Sequence, residues 1–261
     1  LHQALVAGEF VLHFQPQLDL ASGRIIGAEA LLRWHSPTRG LVLPDEFISI
    51  AEDCGLIVPI GDWVLQEACR QAVCWQQAGL PELTVAVNLS AVQFRRGNLL
   101  QSVEQALSAA GLAPALLELE LTESILITEA EHAMDAVRNL KRLGIGFAID
   151  DFGTGYSSLA YLKRFPIDKL KIAQVFVQDM AANPEDAAIV HAIIQMASAL
   201  KLKTLAEGAE TAETIEHLRL HHCDEIQGNA FSQPLAADEF IRFLLAAAQA
   251  APASAPGNVP S

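Results

Sequence analysis

Two adjacent carboxylates, Asp150 and Asp151, close a short apolar run, Phe147 to Ile149, and a Gly-Thr-Gly turn, Gly153 to Gly155, follows almost at once. Ionised carboxylates packed side by side repel, so a fold keeps them mainly where a cation neutralises them. The pair therefore reads as part of a metal site, with the glycine-containing loop as its lid. A second apolar run, Lys169 to Ile172, returns soon after and carries Lys171. Other strand-like runs also finish in polar residues: Gln15, Glu29 with Arg33, Asn88, Glu120, Glu207 and Gln227. Any one of them alone is more often a helix cap or a solvated end. One at the end of every strand is hard to attribute to capping.

The charge balance of this set selects a cofactor class. Five carboxylates (Glu29, Glu120, Asp150, Asp151, Glu207) face Lys171, with Arg33 nearby. Burying them unneutralised would cost several kcal/mol per ion, so divalent cations are implied. All the donors are oxygens, the Asn88 amide included, and no His or Cys closes a strand, which favours Mg²⁺ or Mn²⁺ over structural zinc. The His221-His222-Cys223-Asp224 cluster precedes a strand at the opposite end and reads as an ordinary loop.

The elements that must position these residues alternate along the chain. Strand-like runs cover Phe10 to Phe14, Ile25 to Trp34, Thr84 to Leu89, Leu116 to Thr122, Phe147 to Asp150, Lys169 to Ile172, Lys203 to Ala206 and Glu225 to Ile226. In the second, Glu29, Leu31 and Arg33 share a face; in the fourth, Glu118 and Glu120 oppose Leu117, Leu119 and Leu121. Helix-like runs cover Leu1 to Ala7, Asp45 to Gly79 (broken around Gly55 to Gly61), Leu99 to Ala110, Glu129 to Leu143, Pro184 to Leu200, Ala212 to His221 and Ala237 to Leu245, and Pro37 to Pro44 reads as a loop. Roughly eight strand and helix pairs predict a closed (β/α)₈ barrel, a TIM-like fold of class α/β whose active site lies at the C-terminal rim.

Composition bounds the rest. With 261 residues, 51% of them hydrophobic, the chain can bury a large core as one domain over residues 1–245. Residues 246–261, dominated by Ala, Pro, Ser and Gly, read as a frayed tail. A net charge of -14 argues against a nucleic-acid polymer as partner, whereas a small anionic ligand can bind where divalent cations reverse the local sign. Four cysteines without a CxxC pair read as reduced, packed thiols. No run is long and apolar enough to span a bilayer, so a cytoplasmic domain is expected. The chain starts at Leu1 in mid-helix and reads as a fragment, with any sensor or membrane anchor outside it.

Seven motifs in order, GAEALLRW (Gly27 to Trp34), VNLS (Val87 to Ser90), ELTES (Glu120 to Ser124), DDFGTGYSSL (Asp150 to Leu159), LKI (Leu170 to Ile172), AEG (Ala206 to Gly208) and QG (Gln227 to Gly228), resemble the EAL domain family. The resemblance implies a barrel whose first strand runs antiparallel to the others, and a phosphodiesterase that opens cyclic di-GMP to linear pGpG with a water activated by two metal ions. It further implies Glu29, Asn88, Glu120 and Asp150 around one ion and Asp150, Asp151 and Glu207 near a second. Glu29, Lys171, Glu207 and Gln227 would be catalytic, with Lys171 holding the water and Gln227 orienting water or ligands. Gln15, Leu31, Arg33 and Pro44 would contact the dinucleotide, and Glu123 would brace the loop after Asp151. Mg²⁺ or Mn²⁺ would support activity, Ca²⁺ would inhibit it, and a homodimer is expected near the loop. A sensor domain, or a GGDEF domain that makes cyclic di-GMP, is expected N-terminal to this segment.

Two positions depart from the family pattern: Ala173 stands where an Asp is usual, and Asn229 where an aromatic residue often follows QG. Two rival readings stay open. One is an impaired EAL domain that binds cyclic di-GMP as a receptor; the other is a metal-dependent barrel acting on another phosphodiester or an enolate.

Overall fold

The computed structural model describes residues 1–128, 130–155 and 162–250. Ten strands form one sheet: β1 (Phe10–Asp19), β2 (Ile25–Ser36), β3 (Gly40–Val42), β4 (Thr84–Leu89), β5 (Leu117–Thr122), β6 (Gly146–Phe152), β7 (Lys169–Ile172), β8 (Lys203–Glu207), β9 (Glu225–Gln227) and β10 (Leu235–Ala236). Their order is β10-β1-β9-β8-β7-β6-β5-β4-β2-β3, and a β1–β2 pairing closes the ring. Leaving aside the short strands β3 and β10, the closed ring is the expected α/β barrel. β1 runs antiparallel to both β2 and β9, and the remaining neighbours in the ring are parallel.

The alternation of side chains explains why these segments are strands. Residues paired across neighbouring strands share a face, so Val85, Val87, Leu117, Leu119, Leu121, Phe147, Ile149, Leu170 and Ile172 form the outer face of the barrel, and all are buried beneath helices. Each such side chain contributes roughly 1.5–3 kcal/mol relative to exposure. The helix Ile57–Gln77 meets this face with Ile60, Val64, Leu65, Ala68, Ala72 and Trp75, spaced as one helical stripe. Gly61 lets Gln93 approach it, since a Cβ there would sit 2.1 Å from the Gln93 amide nitrogen. Ser90 and Gln93 form a capping box that starts the helix Ala91–Arg96 directly after β4.

Several boundaries differ from the sequence reading. β1 continues to Asp19, so Gln15 lies in mid-strand and not at a strand end. Pro16 suggested termination, but away from β2 this strand pairs only at His13–Phe14 with β10 and Leu18–Asp19 with β9. Pro16 falls in the unpaired interval, where a missing N–H costs no ladder bond. The expected loop Pro37 to Pro44 contains β3, a hairpin partner of β2 with Ser36 opposite Gly40. The long helical region divides into Pro44–Glu46, Ile48–Asp53 and Ile57–Gln77, with Gly55 at φ 75 between the last two. The last helix runs from Ala237 to Ala250, five residues beyond the expected end at Leu245, because alanine is the strongest helix former. Residues 251–261 lie outside the described residues.

All four cysteines are free; Cys69 and Cys223 are buried as expected, whereas Cys54 is exposed. Among the described residues no helix is long and apolar enough to cross a membrane.

Candidate functional site

The strand-end acids are brought together by an irregularity in one ladder. β6 and β7 pair at Ala148↔Lys169 and Ile149↔Leu170, and pairing resumes only at Phe152↔Ile172. Two residues, Asp150 and Asp151, thus stand opposite one, Lys171. In a regular strand adjacent side chains point to opposite faces; a bulge of this kind re-aims one of them. Asp151 takes a left-handed backbone, φ 52, which Asp tolerates better than most residues.

Lys171 is the centre of the site and is 0% exposed. Its ammonium lies 2.8 Å from Glu120 Oε2, 2.8 Å from Glu207 Oε1, 2.9 Å from Asp150 Oδ1 and 3.3 Å from Glu29 Oε2. These carboxylates arrive from β2, β5, β6 and β8, so the ring must close before they can meet. Burial alone would lower the Lys171 pKa, but Asp150, Glu120, Glu207 and Glu29 raise it well above the usual lysine range.

The carboxylates respond unequally. Burial raises Glu120 well above the carboxylate range, and the Glu29 charge adds to this. Burial also raises Glu207, to about 8; Lys171 opposes the shift, while Asp150 and Glu29 reinforce it. Asp151 is raised by partial burial and by Asp150. Glu29 moves the other way: burial is outweighed by Lys171 and by hydrogen bonds from Gln227 and Asn88.

Amides tie these acids to the first strand. Asn88 Nδ2 donates to Glu29 Oε1 at 2.6 Å, and Gln227 Nε2 donates to Glu29 Oε2 at 2.6 Å and to Gln15 Oε1 at 3.0 Å. Gln15 faces Glu29 across the β1–β2 ladder and donates to the Ser232 carbonyl at 3.1 Å. Glu123 begins the helix Glu123–Thr128 directly after β5, and its Oε2 accepts the Gly153 N–H at 3.2 Å. A Cβ at Gly155 would lie 2.9 Å from Glu123 Oε1, so a larger residue there would displace the acid's carboxylate. The expected loop Gly153 to Ser158 passes outside the described residues at Tyr156.

Leu31 and Pro44 line a cavity of about 450 Å³ beside Asn88, Ser90 and Glu52. Arg33 is half-buried, its Nη1 donating to the Leu32 carbonyl at 2.9 Å. Of the site residues named from the sequence, Gln15, Glu29, Asn88, Glu120, Asp150, Lys171, Glu207 and Gln227 are thus linked to one another, and Leu31 and Pro44 line the adjoining cavity. Absent from that set is Gln17, whose Nε2 donates to Gln227 Oε1 at 3.1 Å. So is a second buried ionic layer, made of Lys169, Glu118 and Glu225. Its signal was available in the alternation Glu-x-Glu, Lys-x-Lys and Glu-x-Gln along β5, β7 and β9.

The donor set fits hard divalent cations. Four carboxylates surround one ammonium, and Glu120 Oε1 is buried without a hydrogen-bond partner. Such an excess of buried negative charge is stable only when protonated or neutralised. Among the described residues no three His, Cys, Asp or Glu side chains are already gathered at the spacing of a metal site. The His221 to Asp224 loop is satisfied internally: Asp224 Oδ2 accepts from the Thr204 backbone and hydroxyl at 2.8 and 2.9 Å.

The family model described as the EAL domain matches residues 1–234. The bifunctional diguanylate cyclase/cyclic di-GMP phosphodiesterase MucR of Pseudomonas aeruginosa is 45% identical over 241 residues, 92% of this chain and 35% of that protein. Cyclic di-GMP phosphodiesterase NbdA of the same organism is 46% identical over 245 residues, 93% of this chain and 31% of that protein. The chain thus spans about a third of the length of these curated relatives. A solved structure of PaMucR phosphodiesterase in complex with c-di-GMP superposes with a TM-score of 0.88 at 45% identity, covering 92% of this chain and 97% of that one. The FimX EAL domain from Pseudomonas aeruginosa bound to c-di-GMP gives a TM-score of 0.82 at 27% identity, covering 90% and 94%.

Proposed function

The chain belongs to the EAL domain family, and on that premise we propose that it is a metal-dependent phosphodiesterase that hydrolyses cyclic di-GMP to linear pGpG at this rim. The observation that carries the reading is the convergence of Glu29, Glu120, Asp150 and Glu207 on the single Lys171 ammonium. A merely structural ion cluster would be balanced. This one holds a surplus of negative charge where a doubly anionic dinucleotide has to bind.

Glu29, Asn88, Glu120 and Asp150 would hold one Mg²⁺ or Mn²⁺, and Asp150, Asp151 and Glu207 a second. Bound there, the ions would supply Lewis acidity to a water and to a phosphate oxygen. Lys171, which reaches the same carboxylates that would hold the ions, orients the water by donating a hydrogen bond. The water's proton passes to one of the surrounding carboxylates. The water oxygen bonds to phosphorus as the bond to the 3′-oxygen breaks, and that oxygen takes up the proton passed to the carboxylate, leaving a 5′-phosphate and a 3′-hydroxyl. Gln227 orients Glu29 through its 2.6 Å hydrogen bond, and Gln15, Leu31, Arg33 and Pro44 hold the dinucleotide, Arg33 by charge-assisted bonds to phosphate.

Incubation with cyclic di-GMP and Mg²⁺ or Mn²⁺, followed by chromatography, is expected to yield pGpG, with EDTA stopping the reaction and Ca²⁺ failing to restore it. Saturable binding with cyclic di-GMP recovered intact would replace the enzyme by a receptor.

A further inference from the structure

The barrel interior holds a second set of buried charges that the proposed hydrolysis does not use. The Lys169 ammonium lies 2.9 Å from Glu118 Oε1 and 2.8 Å from Glu225 Oε2, with each of the three side chains at most 8% exposed. Lys203, 63% exposed, pairs with Glu225 Oε1 at 3.0 Å. Two ammoniums meet two carboxylates, so this layer needs no ion. Barrel interiors are ordinarily filled by branched apolar residues, and such residues replace buried ion pairs at little or no cost in stability. Ion pairs supply something apolar packing does not: fixed donor and acceptor directions.

Each buried member stands two residues before a member of the site on the same strand: Glu118 before Glu120, Lys169 before Lys171, Glu225 before Gln227. Residues two apart on a strand share a face, so this layer lies directly beneath the site. Lys171 lacks support on one side. The bulge at Asp150 and Asp151 leaves it no partner on β6, and only Leu205 on β8 pairs with it.

We propose that Glu118, Lys169 and Glu225 form a positioning network for Lys171, tying β7 across the barrel to β5 and β9. The network sets the height at which the Lys171 ammonium meets Glu29, Glu120, Asp150 and Glu207. This role rests on the hydrolysis proposed above.

The test is the double variant Glu118→Gln with Lys169→Gln, which removes the central ion pair while leaving Glu225 paired to Lys203. In folded variant protein, kcat for cyclic di-GMP is expected to fall about 10- to 100-fold, as small misplacements of reacting groups do, with KM within about 2-fold of wild type. In metal-free protein, amide exchange along β7 is expected to quicken while that of β4 stays unchanged. Full kcat in the folded variant, or unchanged β7 exchange, overturns the network. Should the double variant fail to fold, Lys169→Arg is read instead: it keeps both pairs on a longer side chain, so lower kcat at unchanged KM supports positioning and full kcat overturns it. A wild type that makes no pGpG fails at the earlier step and removes hydrolysis itself, which separates the two failures.

Discussion

Two layers of one barrel interior use the same side-chain chemistry to different ends. Around Lys169 two carboxylates meet two lysines, and burial of that cluster is balanced. Around Lys171, one layer higher, four carboxylates meet one lysine. Both layers are buried and both centre on an ammonium. Neither burial nor the shift of the central lysine separates them, since each lysine is held above its ordinary range by its acids against the pull of burial. Charge balance does: the lower layer pairs two carboxylates with two lysines, and the upper one sets four carboxylates around one.

That contrast can be broken most sharply at the upper layer. Glu29→Ala or Asp150→Ala is expected to lower pGpG formation by on the order of 10³-fold or more, as loss of an electrostatic group at a reacting centre does, with the fold retained by circular dichroism. Near-normal turnover in either variant would dissolve the distinction between the layers.

A second comparison reads stability. Lys169→Met leaves the buried Glu118 without an ionic partner, while Glu225 keeps Lys203, and is expected to cost about 3–5 kcal/mol in denaturant unfolding. Added Mn²⁺ should leave its deficit relative to wild type unchanged. Lys171→Met is expected to be comparably unstable without metal, but there Mn²⁺ should narrow the deficit, because a cation can occupy the place of the lost ammonium. Equal behaviour of the two variants on titration with Mn²⁺ would show that the layers do not differ in kind.

The smallest effect concerns Ala173, the departure beside the site. It occupies the N-cap of the four-residue helix Gln174–Val177 and offers no side-chain hydrogen bond. Ala173→Asp would offer a cap to this helix, but the position is buried and the added carboxylate is desolvated there, so unfolding stability is not expected to rise and turnover is expected to change less than with any substitution in the upper layer. A large gain in turnover would mean that the upper layer lacks an acid.

The barrel and most of its rim were legible because parallel strands announce themselves as short apolar runs and because polar residues such as Asn88, Glu120 and Glu207 interrupt those runs at their ends. Gln15 was read as closing its strand, because its mid-strand setting was hidden by Pro16, whose tolerance depends on a gap between β9 and β10 that only the closed ring creates. The lower layer was equally hard to see. Glu118 and Lys169 are 51 positions apart in sequence, and nothing local says that two inward charges will pair across the ring. Charged residues inside strands read as exposed until closure removes the exposure.

The extra residue opposite Lys171 sets sheet and site against each other. A chain one residue shorter at Asp150 or Asp151 could run an unbroken β6–β7 ladder from Ala148 to the strand's end and lose the left-handed turn at Asp151. That deletion would favour regular pairing while removing an acid and shifting everything after it by one step. The extra residue thus gives up regular pairing to set two carboxylates side by side at the rim.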